Sequence, residues 1–128
     1  MADEDFINIG LTKETHEILQ LLKDNAVFNE MQDAYRFGIA FAIVQGLVAS
    51  ENLSFKTSFH VASIDRDGSL RNLITEVYPE AADRPYAMAQ RLAEAGLERM
   101  GYLYKNGQLR FGEIYKSVLE GTQQLRQS

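Results

Sequence analysis

Hydrophobic and polar positions along this chain are arranged around one almost unbroken apolar run. Within the stretch 33–49, DAYRFGIAFAIVQGLVA, only Gln45 is polar after residue 37. A helix that is apolar all round has no face for water and must be covered on several sides. The run is too short to span a bilayer, which needs ~20 apolar residues. It is expected to be a central core helix, covered partly by a second copy of the chain.

Upstream, residues 6–11 read FINIGL. Ile7, Ile9 and Leu11 alternate with Phe6, Asn8 and Gly10, the period of a strand with one buried face. Thr12 is placed to cap a helix over about 13–25, with Ile18, Leu19, Leu22 and Ala26 as its apolar stripe. Asn29 is a second candidate cap, opening the helix that contains the apolar run.

Strand, helix, short turn and longer helix over residues 6–47 resemble the ribbon-helix-helix family. The resemblance implies that the strand pairs with its twin across a two-fold axis and that the helices interlock into a shared dimer core. It places Ile7, Ile9, Leu11, Phe37 and Phe41 in the dimer interface. It also implies DNA reading by outward strand side chains, with a phosphate seated at the start of the second helix. On this chain those positions are Asn8, Thr12, Lys13 and Asn29. The strand carries no Arg or Lys, and Glu30 and Asp33 would repel an anion at the helix start.

The second half is read as residues 51–128, helical and packed on the same core as the dimerisation half, residues 1–50. A strand falls within FKTSFHVASI, residues 55–64, and a turn at Asp65-Arg66-Asp67-Gly68. Ser69 is expected to cap a helix carrying Leu70, Leu73, Ile74 and Val77, which Pro79 stops. Asp83 is expected to cap the next, with Pro85 in its first turn. Ala89, Leu92, Ala93, Gly96, Leu97 and Met100 form its apolar face, and Gly101 its stop. Asn106-Gly107 between β-rich arms predicts a hairpin over 102–111. A last amphipathic helix follows, with Ile114, Tyr115, Val118 and Leu119. Two helices and a hairpin also resemble a winged helix-turn-helix, which implies Arg84, Gln90 and Arg91 on a recognition helix. Glu94 and Glu98 on the same helix oppose that reading, as solvated acids that pair with arginines or repel phosphate.

Charge sharpens the choice. The net charge of −5 resides in residues 1–50, with eight acidic and three basic groups; the remainder balances. Nucleic-acid binders usually carry a basic patch, and no basic cluster stands out here. The chain has no Cys and two His, in separate segments. No phosphate loop, nucleophile elbow or metal-ligand spacing is found. Asp65 and Asp67 lack the later ligands of a calcium loop. The acidic N-terminus lacks the order of a signal peptide, which favours the cytoplasm.

The expectation is a mainly α fold with minor β. The function expected is that of a small non-enzymatic, DNA-associated homodimer, an accessory or regulatory protein. The alternative is a protein–protein assembly subunit that uses the same dimer fold without DNA reading. No catalytic residue, metal or cofactor is expected, and the partners are a second copy, DNA or another protein.

Overall fold

The computed structural model describes residues 5–24, 28–51, 57–107 and 120–121. The chain runs β1 (Asn8–Leu11), α1 (Lys13–Asp24), α2 (Met31–Gln45), β2 (Thr57–His60), α3 (Val61–Ile64), α4 (Ser69–Val77), a 3-10 turn at Pro79–Ala81, and α5 (Pro85–Lys105). The fold is mainly α with minor β, and the strand–helix–helix order of the first half is present.

The expected partner of β1 is replaced. Instead of a twin strand, β1 pairs antiparallel with β2 of the same chain, with Ile9 opposite Phe59 and Leu11 opposite Thr57. Sequence alternation gives a strand its buried face but not its neighbour. The β-rich segment near residue 60 supplies that neighbour within the chain.

The apolar run forms the core helix, but it ends earlier than its hydrophobicity suggests. Gly46 adopts φ 65°, the left-handed conformation that favours glycine at a helix stop. Its N–H reaches the Ile43 carbonyl at 3.1 Å and the Leu47 N–H reaches the Ala42 carbonyl at 2.9 Å, the paired bonds of a Schellman motif. Val48, read from the pattern as helix interior, thus lies beyond the helix and is 89% exposed.

Helix α5 covers α2. At Gly96 a Cβ would lie 2.0 Å from the Gly38 carbonyl oxygen, so the backbones meet where no side chain fits. Ala89, Leu92, Ala93, Leu97 and Met100 are buried on this face, as their spacing predicts. Gly101 does not stop α5. It is buried against Ile18 of α1, and the helix continues for four more residues. Residues 102–105 are therefore helix and not a hairpin arm. Asn106-Gly107 ends it: the Gly107 N–H reaches the Tyr104 carbonyl at 3.1 Å and the Asn106 side chain the Tyr102 carbonyl at 2.8 Å. An Asn-Gly pair suits a helix stop as well as a tight turn, because both need a left-handed residue. The expected second arm and the helix over 114–119 lie outside the described residues.

The starts of α4 and α5 are capped by carboxylates that the sequence reading did not assign to them. Helix α4 begins at Ser69, whose N–H bonds Asp67, while Asp65 accepts from the N–H groups of Leu70 and Arg71 at 2.9 and 3.0 Å. Asp5, not Asp83, caps α5, accepting from Tyr86 N–H at 2.7 Å and Ala87 N–H at 3.0 Å. Pro85 at the first helical position pre-sets the backbone angle and needs no partner for a missing N–H. Helix α2 is preceded by Glu30, which makes no side-chain cap bond, so Asn29 is not its cap.

Candidate interaction surface

The four positions assigned to DNA reading are not brought onto one accessible strand face. Asn8, Lys13 and Asn29 are exposed, on β1, at the start of α1 and ahead of α2. Thr12 is buried, 8% exposed, and its hydroxyl is engaged with Glu94 Oε2 at 2.9 Å. It also caps α1 loosely, accepting from Thr15 N–H at 3.4 Å.

The edge of β1 that faces away from β2 is closed by side chains. In an antiparallel ladder, backbone groups point alternately to the two sides. The Ile7 carbonyl accepts from Val61 N–H, so Gly10 and Thr12 face the other way. There the Gly10 N–H donates to Gln90 Oε1 at 2.9 Å and the Thr12 N–H to Glu94 Oε1 at 3.0 Å. The Tyr35 hydroxyl donates to the Gly10 carbonyl at 3.2 Å. Burial, reinforced by the charge of Glu94, pushes the Tyr35 phenol far above its ordinary range, so it stays a donor. A strand edge normally invites another strand; at Gly10 and Thr12 this one is already taken by side chains.

Glu94 is 2% exposed. Beyond the Thr12 amide and hydroxyl it accepts from the Thr15 hydroxyl at 2.8 Å. Three donors and the positive end of α1 offset the burial of its charge. The sequence reading placed it in solvent, beside arginines. The missed signal is a stripe of Gln90, Glu94, Leu97 and Gly101 at helical spacing, flanking the apolar face of α5. The winged-helix assignment fails on the same side: Gln90 is buried against β1, and Arg91 Nε donates to the Ser50 carbonyl at 2.7 Å. Arg84 lies over the Phe6 ring, 5.0 Å from its centroid.

Of the five residues assigned to a dimer interface, Ile9, Leu11, Phe37 and Phe41 are buried within the chain's own core. Ile7 is 62% exposed.

A groove of about 1110 Å³ runs between the start of α1, the outer side of α5 and the segment after α2. Its apolar wall includes Ile18, Leu47, Val48 and Tyr102, and Tyr102 is 56% exposed. Its rim carries Lys13, Glu14, Glu98, Arg99 and Lys105, all exposed. The Arg99 guanidinium lies 5.5 Å from the Tyr102 ring centroid. This is an apolar surface framed by charge.

Among the described residues no group of His, Asp and Glu is arranged to hold a metal ion, and no helix is long and apolar enough to cross a membrane. His60 Nδ1 accepts from Ala62 N–H, capping α3. Compared with known proteins, the chain matches no family model, and the searches find neither a curated protein nor a solved structure that it resembles.

Proposed function

We propose that this chain is a non-enzymatic assembly subunit that docks onto a protein surface through the groove between α1 and α5. The observation that carries this reading is the pairing of Val48 and Tyr102, two large exposed apolar side chains, in one concave surface with a charged rim. Contiguous exposed apolar surface rimmed by polar groups marks interaction sites, and exposed Tyr and Arg are the residue types on which binding energy concentrates.

DNA association, the other function weighed from the sequence, has less support. Thr12 is occupied by Glu94, the free edge of β1 is closed, and Glu14 and Glu98 share the groove rim with the basic residues. The resemblance to ribbon-helix-helix proteins rests on the order of elements and supports arrangement more than reading.

A photo-cross-linking residue at position 48 tests the reading, with position 29, exposed and outside the groove, as control. Protein adducts from position 48 and none from position 29 are expected. No adduct from position 48, together with salt-sensitive binding of random duplex DNA by the purified chain, would replace this reading with DNA association.

A further inference from the structure

We infer that the occupant of the groove is a second copy of this chain, docked about a two-fold axis so that α1 of each copy lies across α5 of the other. This rests on the docking reading above and names its partner. A two-fold interface uses the same patch twice, so the patch must complement itself. A rim of one sign would repel its own copy. Here each of the two helices carries both signs side by side. Lys13 and Glu14 open α1, and Glu98 and Arg99 are neighbours on α5.

With α1 laid over the second copy's α5, Lys13 meets Glu98 of the second copy and Glu14 meets Arg99 of the second copy. The two-fold axis repeats both pairs. Val48 and Tyr102 of each copy are then covered at the centre, inside the ring of charge, the arrangement in which apolar anchors exclude water. A phosphate backbone is a poorer occupant for the same groove, because Glu14 and Glu98 interrupt the basic groups Lys13, Arg99 and Lys105 along its rim. The assigned interface therefore moves from the β1 ribbon, whose outer edge is occupied at Gly10 and Thr12, to the outer side of α1 and α5.

Two complementary charge variants of the full chain test this. Lys13→Glu with Arg99→Glu makes the rim acidic; Glu14→Lys with Glu98→Lys makes it basic. All four positions are exposed, so both variants should melt cooperatively like the parent, which circular dichroism checks. Sedimentation should show the parent as a dimer at micromolar concentration. Each variant alone should dissociate, weakened by about tenfold or more per reversed pair, and an equimolar mixture should restore the dimer. A parent that sediments as a monomer, or a folded variant that dimerises alone as well as the parent, would overturn the inference. A monomeric parent that still gives adducts to other proteins from position 48 would overturn the second copy and leave the docking reading standing. A parent with no adduct of any kind would end both.

Discussion

The Tyr86 hydroxyl donates to Asp65 Oδ2 at 2.8 Å, while the Tyr86 N–H donates to Asp5 at 2.7 Å. One residue in the first turn of α5 thus touches the carboxylates that cap α4 and α5. Burial first, and then the hydrogen bond and charge of Asp65, push the Tyr86 phenol from 10.0 up to about 12.

That shift fixes a pH dependence. The folded chain holds the proton more tightly than the unfolded chain. The stabilisation is whole below pH 10 and is lost as the pH rises toward about 12. Denaturation midpoints of the parent should fall across this window. In Tyr86→Phe the fall should be shallower, and tyrosine absorbance should lose the component that titrates near pH 12. At neutral pH the same variant should lose about 1.5–3 kcal/mol, the worth of a hydrogen bond to a charged acceptor. An alkaline transition unchanged by the substitution would refute the link.

Glu94 separates hydrogen bonding from shape. Glu94→Gln keeps one acceptor oxygen and turns the other into a donor that the Thr12 hydroxyl can accept, so a cost of about 1 kcal/mol is expected. Glu94→Leu leaves the buried Thr12 amide without an acceptor and the Thr12 and Thr15 hydroxyls with only each other and nearby backbone, and should cost about 2–3 kcal/mol. Equal effects in chemical denaturation would show that the carboxylate does not hold β1.

The cap of α5 gives a paired prediction. Asp5→Ala should cost about 1 kcal/mol, the usual loss for an N-cap. Asp83→Ala should change stability by no more than about 0.5 kcal/mol, as an exposed substitution away from such features. The reverse ranking in thermal melts would restore the local cap.

Gly96→Ala places a methyl group against the Gly38 carbonyl. Backbone cannot yield as a flexible side chain does, so helices α2 and α5 must part. A loss of about 3 kcal/mol, at the upper end for overpacked cores, is expected in denaturant titrations. Parent-like stability would mean that α2 and α5 are not in backbone contact.

The core was legible in the sequence wherever periodicity alone decides it. The stripe from Ala89 to Met100 is buried as read, because helical spacing defines a face regardless of what covers it. The apolar run became α2 for the same reason. What the pattern does not carry is partnership. It could not say that β1 pairs with β2, since alternation is the same for either neighbour. It placed Glu94 in solvent, because a buried acid is identified only by the donors that surround it, and those come from residues 12 and 15. Helix stops were misplaced where glycine has two uses. Gly46 was taken as interior and is a stop; Gly101 was taken as a stop and is a packing site. The groove was hidden by the first of these errors, which kept Val48 inside a helix.

The capping bonds have a consequence for how the chain is made. Asp5 completes the start of a helix 81 residues away, and Glu94 of that helix completes the edge of β1 and the start of α1, 82 residues back. Neither end can be finished alone. A chain emerging from the ribosome at ~5–20 residues per second must hold its first strand and helix incomplete for several seconds, until α5 has been synthesised. The first strand and α5 thus complete each other, and a fragment that lacks residues 1–12 or 85–105 is expected not to settle into the native arrangement.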